Sequence, residues 1–145
     1  MEDNEDLFTM IDVRTGEPFV EYSNDFLDDV QHGNWICDET VLQKILERDH
    51  TSPQFYCGTA SNLRKIFPFF DKVFLLRASE HITRQRLSLR GTKEFANTKD
   101  VQDWVLDKKS AYEDGLIALG AIVIDAEGSV GDVADAILHT VDSDN

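Results

Sequence analysis

Lys72-Val73-Phe74-Leu75-Leu76 is the stretch that decides the fold, since it is too short for a helix and apolar at successive positions, the signature of a buried strand. The next segment reads as helical. Ser79 supplies an N-cap, and Ile82, Leu87 and Leu89 give the segment an apolar side, leaving Arg84, Arg86 and Arg90 for other work. Gly91 to Thr98 shows no apolar period and reads as a loop or small flap. A long helix is then expected from Asp100, its cap, to Leu119. It carries Val101, Trp104, Val105, Lys108, Tyr112 and Leu116 at three- and four-residue steps, with Gly120 as terminator. Ala121-Ile122-Val123-Ile124-Asp125 repeats the strand signal, and a turn at Gly128 opens a last helix carrying Val130, Val133, Ile137 and Val141.

Working backward, Phe55-Tyr56-Cys57 lies between Ser52-Pro53 and Gly58 and reads as another short buried strand. Ser61 or Asn62 then caps a helix through Leu63, Ile66 and Phe67 that Pro68 stops. The alternation of strands and helices from about Phe55 onward predicts α/β architecture, with three strands of one mostly parallel sheet flanked by helices. Glu39 to Arg48 is a helix started by Asp38 or Thr40, with Val41, Leu42, Ile45 and Leu46 as its buried stripe. Thr15-Gly16-Glu17-Pro18 is a turn, and Asn24 to Val30 fits one short helix. Trp35, Trp104 and Phe74 are assigned to the core.

The chain has 145 residues, enough for one ordinary domain without covalent staples. A formal charge of −14 argues against nucleic acid and against an anionic membrane as partners. Acidic residues crowd both ends, at positions 1–6 and 142–145, which read as frayed, solvated tails. Cys37 and Cys57 form no C-x-x-C pair, and the four histidines are scattered, so two reduced, buried thiols and no metal site are expected. Neither a signal peptide nor a membrane span is legible, which makes the cytoplasm the default compartment.

Arg86 and Arg90 lie four apart near the end of a helix, so they project from one face toward the loop after it. Exposed pairing with Glu94 or Asp100 would account for them, and so would an anionic ligand; Arg84, Lys93 and Lys99 add to the cluster. Gly58-Thr59-Ala60-Ser61-Asn62 and Asp125-Ala126-Glu127-Gly128-Ser129-Val130 join strand ends to helix starts, where open α/β sheets hold ligands. Capping and turn chemistry explain both equally well.

Trp35-Ile36-Cys37-Asp38, Tyr56-Cys57-Gly58-Thr59-Ala60-Ser61-Asn62, Phe70-Asp71-Lys72-Val73-Phe74-Leu75-Leu76, Arg86-Leu87-Ser88-Leu89-Arg90 and Gly120-Ala121-Ile122-Val123-Ile124-Asp125-Ala126 together resemble the small P-loop kinases of the adenylate and shikimate kinase kind. The resemblance runs from about Phe8 to the end. It implies a three-layer sandwich and ATP-dependent phosphoryl transfer to a small molecule, with ATP and Mg²⁺ as cofactors. It further implies that Thr92 to Asn97 is a lid, that Arg86 and Arg90 meet the transferring phosphates, that Gly128, Ser129 and Val130 border the adenine, and that Gly58 and Asn62 line the acceptor side.

None of the eight glycines begins a G-x-x-x-x-G-K-[ST] string, so the chain offers no phosphate-wrapping loop. The first strand and its loop, central in such kinases, would be missing, which leaves a slot between the strands at Phe55 and Val73. Leu7-Phe8-Thr9-Met10-Ile11 could fill that slot, the strands could close up or pair with another chain, or the chain could be a fragment or degenerate paralogue, the reading we adopt. The expected function is then a kinase-like nucleotide-binding domain, inactive as this chain alone. The competing expectation is a non-catalytic interaction module that uses the vacated sheet edge for a homodimer or another partner.

Overall fold

The computed structural model describes residues 7–48, 51–92 and 94–143, and the expected acidic N-terminal tail lies outside them. The protein is mixed α/β, with six α-helices among the described residues and two two-stranded sheets, one antiparallel and one parallel. It divides into two compact units, one up to Phe70 and the other from Asp71.

In the first unit, β1 (Phe8–Asp12) pairs antiparallel with β2 (Gly33–Cys37), in a register running from Phe8 opposite Cys37 to Asp12 opposite Gly33. The N-terminal segment is therefore a strand, but an antiparallel one, as its direct pairing to β2 dictates. The turn at Thr15-Gly16 forms as expected, with Gly16 at φ 76° donating to the Asp12 carbonyl. A short helix α1 (Leu27–His32) runs straight into β2 at Gly33. A side chain would be crowded there, because a Cβ would stand 2.9 Å from Met10 Sδ and 3.2 Å from the Asp29 carbonyl oxygen. Asp38 caps α2 (Glu39–Leu46) by accepting from the Val41 N–H at 2.9 Å. Buried Cys37, Leu42, Ala60 and Ile66 form the core here, with Leu7, Phe8, Leu46, Leu63 and Phe70 packed against it.

The expected strand at Phe55-Tyr56-Cys57 is absent: the segment is irregular, and all three residues are exposed. Three apolar residues carry no period, and the place a third strand would take beside β2 is already filled. Ser61 N–H donates to the Trp35 carbonyl at 2.7 Å and Trp35 N–H donates to Ser61 Oγ at 3.0 Å. Asn62 does the same for Cys37, accepting from its N–H at 3.0 Å and donating to its carbonyl at 2.9 Å. Since Asp38 N–H pairs with Leu7 O on the β1 side, Trp35 and Cys37 point their peptide groups the other way, where Ser61 and Asn62 satisfy them. Asn62 thus makes no side-chain cap for α3 (Leu63–Ile66), which ends in a 3₁₀ turn over Phe67–Phe69. Trp35 is not core either; it is partly exposed and stacks on Phe8 with ring centroids 5.1 Å apart.

The second unit holds the parallel pair. β3 (Phe74–Arg77) lies beside β4 (Ile122–Asp125), Phe74 opposite Ile122 and Arg77 opposite Asp125. Between them come α4 (Glu80–Ser88), a loop, and α5 (Lys99–Leu119); α6 (Val130–Asp142) comes after β4. Ser79 caps α4 through the Ile82 N–H, Gly120 ends α5 at φ 106°, and Ser129 with Asp132 forms a capping box on α6. The C-terminal stretch is helical through Asp142.

Three sequence expectations need correction in this unit. Leu89 does not join the apolar side of α4 but is 83% exposed at its C-cap. The N-cap of α5 lies two positions earlier than expected, at Thr98, with Asp100 inside the first turn. Its buried face is Val101, Gln102, Leu106, Glu113 and Leu116, while Tyr112 is exposed. Two polar residues sit on the inward face, so an apolar stripe misplaces it. Among the described residues, no helix is long and apolar enough to cross a membrane.

Candidate functional site

The carboxyl ends of β3 and β4 carry most of the polar chemistry of the second unit. Arg86, on α4, reaches the loop after β4: Nη1 donates to the Ala126 carbonyl, and Nη2 to those of Glu127 at 3.2 Å and Gly128 at 3.5 Å. The same loop is tied by Asp125, whose Oδ1 accepts from the Glu127 N–H at 2.8 Å, the turn role that residue type favours. Glu127 in turn accepts from the Ser79 N–H at 2.8 Å, which links the ends of the two strands. Gly128 and Ser129 therefore belong to a braced turn, whereas the Val130 side chain is 89% exposed.

Arg90 is engaged in the same manner. Its Nη1 donates to the Phe95 carbonyl at 2.7 Å, while Gln102 Nε2 donates to the Asn97 carbonyl at 3.3 Å and Glu94 accepts from the Gly91 N–H. Ala96, between these ties, is fully buried at φ 62°, a backbone conformation that costs a non-glycine residue about 1 kcal/mol or more. The described residues of the segment expected to be a lid form a loop tied through the Phe95 and Asn97 carbonyls. Neither arginine forms an exposed carboxylate pair with a described residue; peptide oxygens take that place.

Arg84 Nη2 meets Asp103 at 2.7 Å and Lys99 meets it at 2.9 Å; their hydrogen bonds, that of Lys99 first, hold the Asp103 carboxyl below its ordinary value. Lys93, the remaining member of the expected basic cluster, lies outside the described residues.

Three residues not singled out in the sequence complete the region. Arg77 Nε pairs at 2.9 Å with Glu113, a buried carboxylate whose other oxygen takes Lys109. Arg77, Ala78, Ser79, Lys109, Val123, Asp125 and Glu127 line an open crevice of about 390 Å³. Two signals could have shown it: a charged residue directly after an apolar strand, and Lys109 four residues before Glu113.

Gly58 and Asn62 belong to the first unit. Gly58 stands at φ 145°, and Asn62 has both amide atoms committed to Cys37. Cys37 is buried, and burial, followed by nearby Asp38 and Glu39, pushes its thiol up; Cys57, expected to be buried, is exposed. Comparison with protein-family models, curated proteins and solved structures finds no match to this chain.

Proposed function

We propose that the second unit is the nucleotide-facing portion of a kinase-like scaffold, offering the Ala126–Val130 turn to the base side of a nucleotide without transferring phosphate as this chain alone. In that scaffold the sheet is mostly parallel and covered by helices on both faces. The observation that carries the reading is the order strand, helix, loop, long helix and adjacent parallel strand, with Arg86 fastened to the turn after that second strand. Ligands of open α/β sheets sit outside the carboxyl ends of their strands, which is where this turn lies. Arg86 acts here as the brace of the turn. Transfer needs phosphates wrapped by backbone donors together with Mg²⁺, and no glycine-rich lysine loop occurs in this sequence.

Titrating ATP with Mg²⁺ while monitoring backbone amide resonances tests this. The expected result is weak, millimolar binding that shifts Gly128, Ser129 and Val130, reproduced by adenosine and not by tripolyphosphate. Unmoved amides at these positions would overturn the nucleotide reading, and micromolar affinity would overturn the claim that the phosphates go unheld.

One observation favours a second reading, an interaction module. Ile122 N–H and Ala126 N–H bond to Val73 O and Arg77 O, so the intervening Phe74 and Leu76 direct their peptide groups to the far edge of β3. No described residue pairs there, and Leu76 is 51% exposed. Open edges of this kind accept strands from other chains. Concentration-dependent dimerisation by light scattering, indifferent to nucleotide, would favour this reading over the first.

A further inference from the structure

The crevice at the carboxyl ends of β3 and β4 is lined by side chains of both charges. Arg77 and Lys109 are both seated on buried Glu113. Only Nε of Arg77 is committed; no described residue takes its two terminal nitrogens, and the side chain is 49% exposed. That leaves the outer edge of a guanidinium fork, whose geometry suits paired oxygens of a carboxylate or phosphate. Asp125 and Glu127 each use one oxygen for a backbone N–H near the strand ends, with the second oxygen taken by no described residue. Ala78 and Val123 supply the apolar part of the lining.

The two cations and three carboxylates of this cluster leave one negative charge in excess. A simple anion drawn to Arg77 would meet Asp125 and Glu127. A simple cation drawn to those carboxylates would meet Arg77 and Lys109. A molecule with both poles satisfies both sets of charges.

We propose that this crevice binds a small dipolar ion, its carboxylate or phosphate on the Arg77 fork and its ammonium between Asp125 and Glu127. The site is independent of the nucleotide reading: it uses side chains that reading does not require, and a failure of ATP to bind leaves it untouched. Ser79 and Glu127 amides report on it directly, because Ser79 N–H lies on the Glu127 carboxylate.

The test is an amide-resonance titration of the full chain, without nucleotide, using glycine and phosphoethanolamine as dipolar probes and acetate and ethylammonium as single-pole controls. Saturable shifts at Ser79 and Glu127 are expected with a dipolar probe, at least roughly tenfold tighter than with either control. Tighter glycine binding would identify the anionic pole as a carboxylate, and tighter phosphoethanolamine binding a phosphate. Arg77→Gln and Asp125→Asn should each weaken the preferred probe roughly tenfold. Melting curves without ligand verify that the variants fold, and Arg77→Lys, which keeps a cation beside Glu113 but lacks the planar fork, serves if Arg77→Gln does not. Absence of saturable shifts with both dipolar probes, equal binding of acetate, or unchanged affinity in a folded Arg77 or Asp125 variant would overturn the proposal.

Discussion

The Asn62 side chain pairs with the Cys37 peptide as a neighbouring strand would, accepting from its N–H at 3.0 Å and donating to its carbonyl at 2.9 Å. One amide thereby finishes the edge of β2 next to a buried core residue. Replacing Asn62 with alanine leaves both peptide groups of Cys37 without their partner, a loss of about 1 to 3 kcal/mol. Urea denaturation should show it. A variant as stable as the parent would mean that water replaces the amide at no cost.

Arg86 serves three consecutive carbonyls, so its removal should loosen the turn they define. Arg86→Ala is expected to cost roughly 1 kcal/mol, given the exposure of the guanidinium, and to speed hydrogen exchange around residues 126–129. Arg86→Lys should restore little, since an ammonium lacks the planar fork. Unchanged exchange in the alanine variant would contradict the bracing role.

Gly33 is closed to side chains by Met10, Tyr22 and the backbone of Asp29. Gly33→Ala should destabilise the first unit by about 1 kcal/mol, as mild overpacking does, because the Asp29 carbonyl and the Tyr22 ring must both give way slightly. Thermal melting of Gly33→Ala beside Gly115→Ala, where nothing stands within 4 Å, compares a crowded glycine with an open one. Equal melting temperatures would remove the packing argument.

The two thiols should differ in reactivity. Cys37 is buried, with its thiol pushed up by burial and by Asp38 and Glu39, whereas Cys57 is exposed. A thiol reagent at neutral pH should label Cys57 in the native protein and Cys37 only on unfolding. Rapid labelling of both, read by mass spectrometry, would contradict this placement.

Asp103 is held below its ordinary value by hydrogen bonds from Lys99 and Arg84, and Asp12 likewise by Arg14. A carboxyl depressed in the folded state contributes stability above its unfolded value and loses it as pH falls through the folded one. Melting temperature should therefore fall from roughly pH 4 downward, and less steeply in Asp103→Asn. Identical acid limbs for variant and parent would show that the ion pairs are too exposed to matter.

The elements of the second unit were largely legible, because each carries its own local signal. Apolar runs mark β3 and β4, Ser79 caps α4, and Gly120 stops α5 with a positive φ that glycine alone adopts freely. Asp38 before α2 and the Thr15-Gly16 turn were readable on the same grounds. Such signals depend on residues a few positions apart. The tertiary structure alone settled who pairs with whom: β1 antiparallel to β2, Asn62 in place of a strand, and Phe55 to Cys57 left outside any sheet. It also set Arg86 and Arg90 on peptide oxygens and brought Arg77, Lys109 and Glu113 together. A side chain's period tells which face is buried, but its hydrogen-bond partner is chosen by groups tens of residues away that compete for the same peptide edge.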